Sequence, residues 1–370
     1  MNIFEEANNC LEYFIKNKLN RYHELRNYDY GIGNHSKVSQ ISKYTSHRIL
    51  YEYDILEKLK SVDKKRKFSD EILWRLYWKG YLENYHSIWI KYRNLKGISY
   101  DSNVLKIAQN GNTGIDFFDS WVEELRDNNY LHNHSRMWFA SIWIFTLKLP
   151  WELGSRFFMK HLLDGDAASN TLSWRWVAGL HTNKKPYLAS NENIKKFTNN
   201  RFNNIYIKLA NGVIPINESE YLSNKLPIKK ISNNDHLVMF DNDLNINNRS
   251  SLFNSYAKVY IFQNDLIEDN SRQSSKVCYF KQTLLQKVNN LIPNSEISNS
   301  HDIDLILKDL KSIDIVYPGV GNNLDLINNY SKQNGIKISH IFRDEDMLSW
   351  NFATSGFNKF KRAFTNTTDY

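Results

Sequence analysis

Residues 131–176 read LHNHSRMWFASIWIFTLKLPWELGSRFFMKHLLDGDAASNTLSWRW, and this stretch decides how the rest of the chain is understood. Asn133, Arg136, Met137 and Ala140 fall at i, i+3, i+4 and i+7, one stripe of a 3.6-residue helix. The other faces carry Trp138, Phe139, Ile142, Trp143, Ile144 and Phe145. An amide and a guanidinium in so apolar a helix are costly to bury unless something polar meets them. Asp164-Gly165-Asp166 supplies two carboxylates around a turn-forming glycine, and residues 167–180 predict a further helix with Asn170 and Trp174 one turn apart. The pattern describes a polar hole in an aromatic, all-helical core, sized for a planar polar ligand. An Arg–Asp pair that merely ties two helices together satisfies the same pattern, and spacing alone leaves both readings open.

Outward from this stretch, residues 3–20 have helical spacing with Phe4, Leu11, Phe14, Ile15 and Leu19 inward. A loop containing Gly31, Gly33 and Asn34 then leads into Ser36 and Ser39. Small hydroxyls and free N–H groups ahead of a helix suit a phosphate, although an ordinary N-cap looks the same. The basic run Lys64, Lys65, Arg66 and Lys67 is either a solvated face or a contact to a nucleic-acid backbone. Residues 71–92 predict one long helix. Leu73, Leu76, Tyr77 and Gly80 form its core side, while Glu71, Trp74, Arg75 and Trp78 share another stripe. Aromatic and charged groups on one stripe suit an extruded base; an exposed Glu71–Arg75 pair beside packed tryptophans is the simpler account. Residues 93–112 read as a polar linker, and residues 113–133 as a helix with Ile115, Phe118, Trp121, Val122 and Leu125 buried. Beyond residue 203 the chain turns Asn- and Ser-rich. Short strands at 258–262, 313–317 and 336–341 alternate with helical stretches, which predicts a small α/β unit.

Composition sets the outer limits. The 370 residues carry a formal charge of +8, 41% hydrophobic and 14% aromatic residues, which gives a real core and suits a polyanionic partner. Two cysteines build neither a disulfide framework nor an iron–sulfur or Cys₄ zinc site, so a cytoplasmic location and no metal are expected. The N-terminal residues lack the apolar core of a signal peptide, and the longest uncharged apolar run, 137–147, is too short to span a bilayer.

HNHSRM, HLLDGDAASN and WRW, in this order and spacing, resemble the flavin-binding domain of the photolyase/cryptochrome family over about residues 22–202. The resemblance implies a mainly α fold, with an all-helical FAD-binding domain over residues 1–205. A linker or lid over 206–256 and a small C-terminal α/β domain with tail over 257–370 complete the expected order. It also implies FAD as cofactor, dimer-containing DNA as partner and a monomer. Tyr22, Ser36, Val38 and Ser39 fit the family's segment that holds the flavin diphosphate, with His35 where a threonine is usual. Glu71-x-x-Trp74-Arg75 matches the family's Glu-x-x-Trp-Arg. Glu71 and Trp74 would then contact a pyrimidine dimer and Arg75 would lie near the flavin.

By the same resemblance, Asn133 and Met137 face the lesion and the adenine. Arg136 pairs with Asp164 beside the isoalloxazine, from which Asp166 accepts a hydrogen bond. Asn170 lies near the reactive flavin nitrogen, and the dimer packs on Trp176. Trp174 and Trp151 match the inner members of the family's electron-relay tryptophans; the third would align near Ile98, with Tyr100 or Trp89 as substitutes. The family places its α/β antenna domain before the flavin domain. Here a reduced α/β segment follows it, and no second chromophore is expected. The implied activity is light-driven splitting of cyclobutane pyrimidine dimers, favoured by asparagine at 170. The alternative is a cryptochrome-like blue-light sensor without repair activity.

Overall fold

The computed structural model describes residues 2–181, 184–202, 208–213, 216, 221, 223, 226, 227, 234–247, 249–267 and 271–370. Twelve helices come first: α1 (Ile3–Asn17), α2 (Tyr22–Leu25), α3 (Ser42–Thr45), α4 (Glu52–Leu59), α5 (Arg66–Asn84), α6 (His86–Arg93), α7 (Ser102–Asn110), α8 (Asp116–Asn128), α9 (Asn133–Ser141), α10 (Trp151–His161), α11 (Ala167–Val177) and α12 (Asn191–Phe197). An alternating series follows: β1 (His236–Phe240), α13 (Ser250–Asn254), β2 (Lys258–Gln263), α14 (Ser275–Asn289), β3 (Ser295–Asn299), α15 (Ile303–Leu307), β4 (Ser312–Val316), α16 (Asn322–Asn334) and β5 (Lys337–Ile341). The last described elements are α17 (Asp344–Phe352) and α18 (Phe357–Thr367).

Local chemistry sets the boundaries of these helices. A capping box formed by Asn2 and Glu5 starts α1. Asp101 caps α7, which ends on Gly111 in the left-handed region, so part of the polar stretch 93–112 is helical rather than linker. The helix predicted over 71–92 begins earlier and breaks at Tyr85, whose φ of −125° and ψ of 53° leave the α region, giving α5 and α6. Its core side is as expected: Leu73, Leu76, Tyr77 and Gly80 are all buried. After α9 the chain continues through a π-helical turn, Ile142–Thr146. Such turns re-aim side chains and recur at functional sites.

The five strands form one parallel sheet in the order β3-β2-β1-β4-β5. β1 pairs with β2 on one side and β4 on the other, so the strand order reverses between β1 and β4. This corrects the expected segmentation. β1, the central strand, lies inside the 206–256 segment expected to be linker or lid, and the sheet has five strands among the described residues. HLVMF is apolar without alternation because a central parallel strand is covered on both faces. Five residues of that kind between asparagine-rich flanks give no period to detect. β3, SEISN, is a polar edge strand and carries no apolar period either. The remainder of the expected lid falls mostly on residues outside the described set.

The expected C-terminal tail is also different. α17 and α18 return to the helical layer and pack on α5. Gly80 permits the approach, since a Cβ there would lie 2.7 Å from Ala353 Cβ and 3.1 Å from the Trp350 backbone. Asn84 Nδ2 donates to the Trp350 carbonyl at 2.7 Å, and the Tyr77 and Tyr85 hydroxyls donate to the carbonyls of Ser355 and Thr354.

Candidate functional site

A cavity of about 480 Å³ opens among α5, α9, α11 and the segment 38–45, within the range of small-molecule sites. The two helices singled out from the sequence form one wall. Asn133, Arg136, Met137 and Ala140 of α9 line it, as do Ser169, Asn170, Ser173, Trp174, Trp176 and Val177 from α11. Glu71, Trp74, Arg75 and Trp78 of α5 line it too, as do Tyr22, Arg26, Val38 and Ser39.

The polar lining is held by a second set of bonds. Arg136 Nη2 donates to Asp164 Oδ2 at 2.9 Å, and its Nε to the Leu131 carbonyl at 2.8 Å. The other carboxylate oxygen, Asp164 Oδ1, is buried without a hydrogen-bond partner in the protein. Asn170 spends its amide N–H groups on the Ser155 carbonyl and hydroxyl, both at 2.8 Å, which leaves its oxygen as the free acceptor. Arg75 is fixed by Glu52 at 2.9 Å and Asp166 at 3.1 Å. Glu71 pairs with Arg26. Burial pushes the Glu71 carboxyl above its ordinary range, and Arg26 offsets only part of that.

Two expected ligand residues stand away from this cavity. Asp166 caps α11, taking the Ser169 N–H at 2.7 Å, and lies behind Arg75. Burial alone would raise its pKa, but Arg75, Lys79 and the Ser169 bonds hold it low. It supports the wall instead of lining it. Ser36 is exposed, its hydroxyl facing Asn34 Oδ1 at 3.4 Å. His35 is buried and bonded to Glu124, with Asp29 4.0 Å from its other ring nitrogen. Asp29 in turn holds Ser135 at 2.7 Å, Arg201 at 3.0 Å and the Gly31 N–H at 2.9 Å. Asp29, His35 and Glu124 are the metal-ligand types that cluster among the described residues. Because Asp29 is already compensated by Arg201, the cluster acts as a strut beneath the loop. Spacing alone did not reveal Gln40, Ser42, Thr45 and Ser173, which also line the cavity. The hydroxyl-rich run SKVSQISKYT and the i+3 step from Asn170 were the available signals.

Trp174 lines the cavity and lies against α10 at Gly154, where a Cβ would come within 2.2 Å of the indole. Trp151, one turn earlier on α10, is buried away from the cavity and stacks on Tyr92 at 5.4 Å; Tyr92 in turn meets Trp89 at 5.3 Å. Ile98 brings no ring to this path, and Tyr100 is largely exposed. Lys64 and Lys65 precede α5, Arg66 and Lys67 are its first two residues, and Phe68 next to them lines the cavity.

Residues 68–209 match the family model described as the FAD binding domain of DNA photolyase. This stretch is similar in sequence to the FAD-binding domain of photolyases. The deoxyribodipyrimidine photo-lyase of Buchnera aphidicola subsp. Baizongia pistaciae is 31% identical over 193 residues, covering 48% of this chain and 39% of its own. That of Escherichia coli K12 is 33% identical over 124 residues, covering 32% and 26%. A solved bacterial class III photolyase from Agrobacterium tumefaciens aligns with TM-score 0.48 at 24% identity, over 53% of this chain and 42% of that one. The chain thus spans less than half the length of the curated relatives it matches. FAD is the cofactor of this domain, and the lining fits it: Asp164 Oδ1 and Trp174 Nε1 are both buried without partners in the protein, on residues that face the cavity. A buried polar atom of this kind is costly unless a ligand satisfies it.

A second, polar cavity of about 90 Å³ lies where the carboxyl ends of β1, β2 and β4 face the helical layer. Its groups are paired with one another: Lys281 with Asp241 at 2.7 Å, and Asn264 with Asn323 at 2.9 Å. It has room for a few waters. Among the described residues no helix is long and apolar enough to cross a membrane.

Proposed function

We propose that this protein repairs cyclobutane pyrimidine dimers in DNA by light-driven electron transfer from FAD. The carrying observation is that one cavity joins two kinds of lining. Arg136, Asp164 and Asn170 suit a flavin, while Glu71, Trp74, Met137, Asn133 and Trp176 suit an extruded pair of bases. Reduced FAD, when bound, supplies the photoexcited electron donor.

The protein's own part is orientation and charge. Ser39, Val38 and Tyr22 would hold the diphosphate. The Asp164 oxygen left free by Arg136 would accept a ring N–H of the flavin, and the Asn170 oxygen would be a second acceptor. Photolyases are among the known examples of enzymes that take their target base out of the stack, and Trp74 and Trp176 offer stacking faces for bases so placed. Glu71, whose carboxyl burial pushes above its ordinary range, would contact the dimer through a hydrogen bond that strengthens as negative charge develops there. Met137 and Asn133 would complete the lining for the bases, and Lys64, Lys65, Arg66 and Lys67 would meet backbone phosphates.

The deciding experiment uses purified protein with fully reduced FAD and a thymine-dimer oligonucleotide under blue light. Absorbance of the restored thymines should rise, and Glu71→Ala should lower the yield while FAD content stays unchanged. No recovery with reduced FAD bound would refute the repair reading and leave a flavin-binding light sensor.

A further inference from the structure

The lesion-side tryptophan Trp74 has a partner supplied from the far end of the chain. Phe357, the first residue of α18, stacks on it with ring centroids 3.8 Å apart and planes within 6°. This is the closest ring pair among the described residues. Trp74 lines the flavin cavity, but Phe357 does not. One face of the indole is therefore covered from outside the cavity, and its edges meet Tyr77 at 5.5 Å and Trp78 at 4.9 Å.

Phe357 is itself firmly placed. On its N-terminal side the carbonyls of Thr354 and Ser355 accept hydrogen bonds from Tyr85 and Tyr77 of α5. On its C-terminal side Phe360 packs on Tyr77 at 5.5 Å, and Lys361 pairs with Asp70. The α18 end that carries the ring is thus pinned to the same helix that carries Trp74. A ring pinned there restricts the indole to one plane before any ligand arrives. A stacking platform that needs no ordering on binding loses less entropy when a base settles on it.

We infer that Phe357 is a positioning residue that holds the Trp74 indole ready for a flipped-out base, so lesion affinity depends on a helix that follows the α/β unit. The inference rests on the proposed repair function. Its chemistry is stacking alone: no bond forms or breaks at Phe357.

The test compares binding of two short single-stranded oligonucleotides, one carrying a single thymine cyclobutane dimer and one undamaged, by wild type, Phe357→Ala, Phe357→Leu and Phe357→Tyr, each FAD-loaded. Phe357→Ala should bind the dimer oligonucleotide about three- to tenfold more weakly. The undamaged strand, FAD content and repair yield at saturating dimer should be unchanged. Phe357→Tyr should retain wild-type affinity and Phe357→Leu should fall between, which keeps the test sharp if the alanine variant folds poorly. Equal loss on both strands, or loss of FAD, would make the contact merely structural and overturn the inference. Tighter dimer binding by Phe357→Ala would overturn it too, because Phe357 would then be occupying the base's own seat. Wild type that fails to prefer the dimer strand defeats the repair reading itself, and is told apart from the other outcomes because it precedes any substitution.

Discussion

Single side chains in this structure carry opposite burdens at the two cavities. Asp164 is half-satisfied by Arg136 and keeps one buried oxygen without a partner in the protein. Asp164→Ala should raise the FAD dissociation constant at least about tenfold, some 1.4 kcal/mol, measured by flavin fluorescence, with far-UV circular dichroism unchanged. Glu83 is different. Burial pushes its carboxyl up to about 7, although it accepts bonds from the Tyr317 hydroxyl at 2.7 Å and the Val320 N–H at 2.8 Å. The folded state therefore holds this proton where the unfolded chain, with an ordinary glutamate, has released it. Stability contributed by the neutral form is present below the unfolded pKa and is lost as pH rises towards 7, on the order of 3 kcal/mol. Glu83→Gln imitates the protonated carboxyl, so its advantage over wild type in urea denaturation should grow from pH 5 to pH 8. A constant difference across that range would contradict the raised pKa. Much of the cavity lining was legible because Arg136, Asp164 and Asn170 are local in sequence and break an apolar period. Glu83 was not, because nothing in its neighbours foretells that Tyr317 and Val320 arrive from a loop more than two hundred positions away.

At the scale of elements, α5 is the part on which both faces matter. One face lines the cavity and the other receives α17 across Gly80. Gly80→Ala places a Cβ within 2.7 Å of Ala353 Cβ and 3.1 Å of the Trp350 backbone. Neither contact is the end of a flexible chain, so the helices must separate, at a cost of about 1–3 kcal/mol that thermal unfolding would register. The spacing of Leu73, Leu76, Tyr77 and Gly80 announced a core side, but not that its partner would be the last two helices of the chain. α10 carries a second element-level consequence. Trp151 meets Tyr92, Tyr92 meets Trp89, and the Trp89 indole N–H donates to Asp325 at 2.6 Å. If electrons reach Trp174 by this ladder, Trp89→Phe should slow photoreduction of oxidised FAD by about tenfold, the effect of ~1.4 kcal/mol on the barrier. Dimer repair by chemically reduced FAD should be untouched. An unaltered photoreduction rate would mean that the electron enters elsewhere.

Across the whole molecule, a chain of charges runs from the wall of the larger cavity to the sheet. Asp166 holds Arg75, Arg75 holds Glu52, and Glu52 also takes Lys79 at 3.3 Å and Arg48 at 3.2 Å. Arg48 then reaches Asp346 at 2.6 Å and Asp243 at 3.1 Å, and Asp243 is clasped by Arg343 at 2.6 Å. Four carboxylates and four cations alternate, so burial, which on its own would raise Glu52 and Asp243, is outweighed and both stay low. None of this could be read from the sequence, since Arg48, Asp243 and Asp346 belong to three distant segments whose meeting depends on the complete sheet. Arg48 is the member without a substitute. Remove it and Glu52 still has Arg75 and Lys79, and Asp243 still has Arg343, but Asp346 loses both guanidinium bonds while buried. A carboxylate stranded in this way costs about 3–5 kcal/mol, whereas deleting both partners costs far less. Arg48→Met should therefore lower the denaturant midpoint strongly and release FAD in the same transition, and Arg48→Met/Asp346→Leu should recover most of the loss. A shift below about 1 kcal/mol in the single variant, the size of an exposed pair, would show that the two layers are held together by apolar packing and that the charge chain only accompanies it.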